Sequence, residues 1–189
     1  MKIIPIIYQK AYKFIVPNGL CDKMVFFRIK KIKGKEYAYI VENEWKRKGS
    51  RQKVKGYLGR VHRFNLVKDI EFLKYINVND AQNYINNNNK NKIINDLVGW
   101  EIFKFGIIRE EFSINLINNK IEKGKKKVAL LINDGFMCNF TLKNLLEFKP
   151  EGDEQIDGYR FARAFVEAGV KVPQEIFVEL FGKLYKKSI

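Results

Sequence analysis

Apolar and polar positions alternate along the first third of the chain in the manner of β-strands. The stretches 24–32, 36–45 and 51–61 are rich in apolar and aromatic residues, and short turns that each contain a glycine separate them. Alternation with a period of two, interrupted by such turns, is the pattern of successive β-hairpins. The sequence therefore predicts a three-stranded antiparallel meander over residues 24–63.

A chain reversal is expected before this meander. Residues 1–20 contain two apolar stretches followed by Pro17-Asn18-Gly19. Proline fixes its own φ and glycine tolerates positive φ, so the three residues favour a turn. One or two short strands are predicted ahead of it.

Helical spacing follows the meander. Residues 66–108 are predicted to be largely helical, with Asp80 as the cap of a second helix and an apolar helix over 93–105. The apolar positions at helical spacing that open this region are Leu66, Ile70, Leu73 and Ile76.

Residues 111–140 return to the strand pattern. Turns are predicted at Asn118-Asn119, at Gly124 and at Asn133-Asp134-Gly135, the last being a strong hairpin signal. Thr141 is expected to cap a short helix that ends at Phe148.

The end of the chain predicts a helical hairpin. Its first helix is expected over 155–168, with Gly169 as the carboxyl-terminal cap and Pro173 at the start of the second helix. A packed pair, an oligomerisation surface and a DNA-reading helix-turn-helix are the alternatives. Residues 147–189 hold 7 basic and 8 acidic residues, which disfavours the last of these. The aromatic residues expected in the core of this hairpin are Phe161, Phe165, Phe177 and Phe181.

These elements predict an α+β fold. A small basic antiparallel β-meander comes first, with barrel-like closure as an open alternative, followed by a mixed region of helices and hairpins and by a C-terminal helical hairpin. The expected divisions are residues 1–65, 66–149 and 150–189.

Charge changes the picture, because it is unevenly distributed. The chain has a formal net charge of +15, yet residues 1–70 hold 18 basic and 5 acidic residues, and residues 71–189 hold 18 and 16. The basic excess therefore belongs to the meander region and predicts a polyanionic partner. Nucleic acid is the first candidate, with an acidic protein and an anionic membrane surface as rivals; membrane association is not expected.

Alternation also predicts which meander side chains face outward. Ala38, Ile40, Phe27 and Ile29 are expected to face the core, as are Val54 and Leu58 of the third strand, which leaves cations and aromatic rings on the outer face together with Val41. Cations neutralise phosphates and aromatic rings stack on unpaired bases. The alternative is an ordinary solvated sheet face. The predicted nucleic-acid contacts are Arg28, Lys30, Lys33, Lys35, Tyr37, Tyr39, Arg47, Lys48, Arg51, Lys53, Lys55 and Arg60, with Tyr57 on the same face.

Residues 33–61 also carry a recognisable pattern: Tyr-x-Tyr-x-Val-Glu-Asn, a basic turn, a Gln-containing strand and Tyr-Leu-Gly. The stretch resembles the amino-terminal module of certain insertion-sequence DDE transposases, and the resemblance implies a module that contacts nucleic acid. The ribonuclease-H-like domain of that family has no counterpart after residue 63, so no catalytic residue is implied. The matching residues are Tyr37, Tyr39, Val41, Glu42, Asn43, Gln52, Tyr57, Leu58 and Gly59.

Enzymatic chemistry finds little support in the sequence. His62 is the only histidine, and Cys21 and Cys138, expected to be reduced core residues, lack metal-ligand spacing. No cofactor, metal or catalytic residue is therefore predicted. Neither a signal peptide nor a membrane-spanning segment is expected, which favours the cytoplasm.

The favoured function is non-enzymatic nucleic-acid binding by the meander. The rivals are a ribosome-associated or protein-interaction factor, with a protein partner or a second copy bound through residues 150–189, and a divergent metal-dependent nuclease. The carboxylates of that nuclease would come from Glu151, Asp153, Glu154 and Asp157.

Overall fold

The computed structural model describes residues 25–46 and 49–186. Its fold class is α+β, as predicted, and the chain divides into two compact units, residues 1–60 (unit 1) and 61–189 (unit 2). The strands predicted before the Pro17 turn, together with Cys21, Arg47 and Lys48, lie outside the described residues.

Unit 1 contains the predicted meander. Its strands are β1 (Val25–Ile32), β2 (Lys35–Lys46) and β3 (Gly49–Arg63), of which residues 61–63 belong to unit 2. Both β1 and β3 pair antiparallel with β2, which lies between them. The described ladders do not close this sheet, so the barrel-like alternative is wrong.

Strand β3 carries two extra residues opposite β2. Its register with β2 shifts twice, and the shifts leave Lys55 and Leu58 without a directly opposed partner. Gly59, next to the second shift, has a φ of +138°, a conformation that glycine adopts far more readily than other residues. An extra residue of this kind moves the side chains beyond it to the other face of the sheet.

Unit 2 packs helices around a second group of antiparallel strands. Its strands β4 to β7 pair in sequence order, and the backbone N–H of Phe64 donates to the carbonyl of Leu131 at 3.2 Å. The described elements of unit 2 are α1 (Phe72–Tyr75), α2 (Ala81–Asn87), α3 (Lys90–Lys104), β4 (Ser113–Asn115), β5 (Lys120–Lys123), β6 (Lys126–Ile132), β7 (Gly135–Met137), α4 (Asn139–Leu146), α5 (Glu154–Glu167) and α6 (Gln174–Lys186).

The helix predicted to begin near Leu66 is wrong. The segment before α1 runs along α3 without helical structure, because the N–H groups of Val67 and Lys68 both donate to the carbonyl of Lys104 at 2.9 Å. The indole Nε1 of Trp100 donates to the carbonyl of Ile70 at 2.9 Å. Tertiary hydrogen bonds therefore override the apolar spacing of this segment.

One of the two predicted amino-terminal helix caps is confirmed and the other is wrong. The carboxylate of Asp80 accepts from the N–H of Asn83 at 3.1 Å and caps α2, as predicted. Thr141 is not the cap of α4, which begins after Cys138 and ends at Leu146. The Thr141 hydroxyl lies within the first turn, where it accepts from the N–H of Cys138 at 3.1 Å.

The C-terminal helical hairpin is confirmed. Gly169 ends α5 with a φ of +68°, and Pro173 immediately precedes α6. Phe161 and Phe165 are fully buried and Phe177 packs against them, so the aromatic stripe belongs to the core of unit 2. Across the residues that the structure describes, no helix combines the length and apolar character needed to cross a membrane.

A buried carboxylate joins three parts of unit 2. Glu101 on α3 is fully buried, and its Oε1 accepts from the Lys104 ammonium and from the N–H of Lys171, each at 3.0 Å. Its Oε2 accepts from the amide of Asn133 at 2.8 Å, and that amide also donates to the carbonyl of Gly169. Glu101 therefore ties α3 to the β6–β7 turn and to the α5–α6 connection.

Replacing Glu101 by Ala should destabilise unit 2 by about 3–5 kcal/mol, because the Lys104 ammonium would remain buried without its counter-ion. Urea unfolding followed by circular dichroism measures this loss. Glu110→Ala, at an exposed position of the same unit, is the control and should change stability by less than about 0.5 kcal/mol. Equal losses in the two variants would contradict the role assigned to Glu101.

Candidate nucleic-acid interface

The register of unit 1 defines two faces of the meander, because directly opposed residues of an antiparallel pair lie on the same face. The first, called the tyrosine face, comprises Phe26, Arg28, Lys30, Ile32, Lys35, Tyr37, Tyr39, Val41, Asn43, Gln52, Val54, Tyr57 and Arg60. The second, called the glutamate face, comprises Phe27, Ile29, Lys31, Glu36, Ala38, Ile40, Glu42, Glu44, Arg51, Lys53, Gly56 and Gly59.

Charge and aromatic rings are segregated between these faces. All three tyrosines of the described meander lie on the tyrosine face, and all three of its glutamates lie on the other. The tyrosine face therefore has cations but no carboxylate among the described side chains. Its cations are Arg28, Lys30, Lys35 and Arg60.

On the glutamate face, cations stand opposite carboxylates. Opposite charges that face each other across neighbouring strands attract and offset one another. The bulged Lys55 also reaches this side, where its Nζ lies 2.6 Å from Oε2 of Glu42, a largely buried carboxylate. The opposed pairs are Lys31 with Glu36, Lys53 with Glu42 and Arg51 with Glu44.

The predicted placement of three cations is therefore wrong. Arg51 and Lys53 do not lie beside Tyr37 and Tyr39 as predicted: they stand opposite Glu44 and Glu42 on the glutamate face, and Lys55 bonds to Glu42 there. Whether these three side chains contact nucleic acid stays a prediction.

Two other placements also differ from the prediction. Val41 was expected on the exposed side, and it is buried with only 1% of its surface accessible. Val54 was assigned to the core face, but it lies opposite Val41 on the tyrosine face and is 47% exposed. The β1–β2 turn is as predicted: Lys33 and Gly34 both have positive φ, and the side chains of Lys33 and Lys35 are exposed.

The three tyrosine rings form one cluster. The ring of Tyr57 lies 5.4 Å from that of Tyr39 and 6.3 Å from that of Tyr37, and both pairs are tilted. The Nζ of Lys30 lies 5.2 Å from the centre of the Tyr39 ring, in cation–π range. Tyr57 is 45% exposed, so this ring is the one most open to solvent.

The cations border this cluster in cross-strand rows. Lys30, Tyr37 and Arg60 stand opposite one another on β1, β2 and β3, and Arg28, Tyr39 and Tyr57 form the next row. The Arg28 guanidinium also donates to Oε1 of Gln52, which holds it over the sheet. The arrangement offers positive charge on both sides of a patch of aromatic rings.

Tyr57 is neutral at ordinary pH. Partial burial raises the pKa of its phenol above 10.0, and the neighbouring Tyr39 and Tyr37 raise the pKa further once they ionise. No negative charge therefore develops at this ring near neutrality.

The acidic cluster of unit 2 has structural contacts. The Asp153 carboxylate accepts from the N–H of Ile156 and caps α5. Asp157 is fully buried, accepts from the N–H groups of Glu151 and Gly152, and pairs with Arg160 at 2.9 Å. Among the described residues, no three His, Cys, Asp or Glu side chains come together as a candidate metal site.

The remaining candidates of the sequence analysis, which are His62, Cys138 and the last helix, make packing or hydrogen-bond contacts within unit 2. The His62 ring meets the Phe112 ring edge-on at 5.1 Å. Cys138 is buried as predicted, and its burial raises the pKa of the thiol. Helix α6 packs on α2, where Lys183 donates to three backbone carbonyls and Glu179 accepts from Gln82 at 3.0 Å.

Comparisons of the chain with protein-family models, with curated proteins and with solved structures found no match. The functional argument therefore depends on the geometry of the meander and on the physical chemistry of its side chains.

The Tyr57 phenol should titrate above pH 10.0. A raised pKa in the folded state means that the neutral phenol favours folding, so this contribution is complete below pH 10 and is lost as pH rises through the folded pKa. The measurement is an NMR titration of the tyrosine ring carbons, with the Tyr57 signal assigned by its absence in Tyr57→Phe. A titration midpoint for Tyr57 at or below pH 10.0 would show that its ring is more exposed to solvent than in the structure.

Proposed function

We propose that this protein binds nucleic acid without transforming it, and that the tyrosine face of unit 1 is the contact surface. The observation that supports this most is the segregation of charge. Every described carboxylate of the meander lies on the other face, so among the described side chains phosphates that approach the tyrosines would meet cations and no opposing negative charge.

The chemistry of the face suits a polyanion. Lysine and arginine neutralise phosphates and release condensed counterions, which makes the affinity fall steeply as salt rises. The exposed ring of Tyr57 adds a surface for bases. The +13 charge of residues 1–70, from 18 basic and 5 acidic residues, would add long-range attraction.

The resemblance to transposase amino-terminal modules points the same way. Tyr37, Tyr39 and Tyr57, which contribute to that resemblance, are the three rings of the cluster. We also propose that the protein is located in the cytoplasm, where nucleic acid is accessible to it.

The register singles out particular cations for a test. Replacing Lys30 and Arg60 together by Gln should weaken binding and reduce the salt dependence of log K by about 1 for each cation removed. The control is Arg51→Gln with Lys53→Gln, which removes the same charge from the glutamate face. That variant should lose distinctly less affinity, because its cations already face carboxylates.

The measurement is fluorescence anisotropy with labelled single-stranded DNA, duplex DNA and structured RNA across a range of salt concentrations, with thermal unfolding to verify that both variants fold. Equal losses in the two variants would indicate attraction by net charge alone and would contradict the proposed surface. Absence of salt-sensitive binding by the unmodified protein would overturn the proposed function and favour a protein-interaction role.

A further inference from the structure

We infer that the tyrosine face selects single-stranded nucleic acid, with an unpaired base stacked on Tyr57. This inference rests on the proposed function and deepens it, because phosphate neutralisation alone draws no distinction between a single strand and a duplex. The aromatic rings supply the distinction.

The clustered tyrosine rings offer a surface on which an unpaired base can stack. Tyr57 is the most open of three clustered tyrosines, and its neighbours Tyr37 and Tyr39 support it from the adjacent strand at 6.3 and 5.4 Å. A ring supported in this way loses little conformational freedom when a base stacks on it. Bases in a duplex are already stacked on both faces, so an aromatic ring on a sheet reaches a base face only where the strand is unpaired.

Cations lie on both sides of the clustered rings. Lys30 on β1 and Arg60 on β3 flank Tyr37 in one cross-strand row, and they stand two strands apart, about 10 Å. A single strand that crosses the cluster would therefore place its bases on the rings with a cation on either side for its phosphates. Arg28, held by Gln52 in the neighbouring row, extends this border.

The two faces of the described meander differ in their negative charge. The described tyrosine face has no carboxylate, and a phenol such as that of Tyr57 is neutral near pH 7. The glutamate face has cations too, but its glutamates would repel a phosphate chain and its described side chains include no aromatic ring other than Phe27. Stacking and phosphate contact are thus combined on one face only of the described meander.

The test compares Tyr57→Leu with Tyr57→Phe in the full chain. Leucine keeps an apolar side chain but removes the aromatic face, whereas phenylalanine keeps the ring and removes only the hydroxyl. The probes are a labelled single-stranded DNA of about 20 nucleotides and mixed sequence, a single-stranded RNA of the same sequence, and the corresponding DNA duplex. Thermal unfolding of both variants provides the check on folding.

The unmodified protein should bind a single strand more tightly than the duplex. Tyr57→Leu should lower single-strand affinity roughly 5- to 150-fold, the range typical of a lost base–aromatic stack, while duplex affinity and the salt slope change little. Tyr57→Phe should bind as the unmodified protein does. Tighter binding of the DNA strand or of the RNA strand would show which of the two polymers the protein prefers, and either preference supports the inference.

Failure of this inference is distinguishable from failure of the proposed function. Duplex binding as tight as single-strand binding, or unchanged affinity in Tyr57→Leu, would overturn the stacking role. The proposed function would still stand if the Lys30 and Arg60 variant bound more weakly than its control. Equal losses in Tyr57→Leu and Tyr57→Phe would assign the effect to the hydroxyl and would also overturn stacking.

Discussion

The register between β2 and β3 slips at two places, and the surface of unit 1 depends on those slips. Lys55 and Leu58 have no directly opposed partner: the slip at Lys55 brings Tyr57 to the side of Tyr37 and Tyr39, and the slip at Leu58 returns Arg60 to that side. Without the slips, the strict alternation of β3 would put Tyr57 on the same side as Arg51 and Lys53. The bulges thus place Tyr57 beside cations that have no described carboxylate on their face, and not beside the cations that glutamates compensate across the strands.

Unit 2 uses its charges differently. Glu101 is fully buried and holds Lys104, Asn133 and the N–H of Lys171, so its charge stabilises the junction of a helix, a turn and a connection. Lys183 satisfies three carbonyls at the end of α2. Lys104 and Lys183, two cations of the weakly charged part of the chain, are therefore engaged in holding its fold together.

Local patterns predicted those elements whose cause is local. The three meander strands, the Asp80 cap, the turn at Asn133 and the final helical hairpin depend on side-chain alternation, on one capping carboxylate and on positive-φ positions. The segment near Leu66 was mispredicted, because hydrogen bonds to the carbonyl of Lys104, some 37 residues away, hold it out of a helix. Periodicity contains no information about such distant partners.

For the candidate site, the sequence by itself determined which residue types are present, the concentration of positive charge in residues 1–70 and the existence of a meander rich in tyrosine. Only the tertiary structure decided which of these side chains share a face. A strand's alternation is a local property, but its register is set by hydrogen bonds to the neighbouring strand, and one unpaired residue reverses every facing beyond it. That Tyr57 shares a face with Lys30 and Arg60, and not with Arg51 and Lys53, is therefore a property of strand pairing.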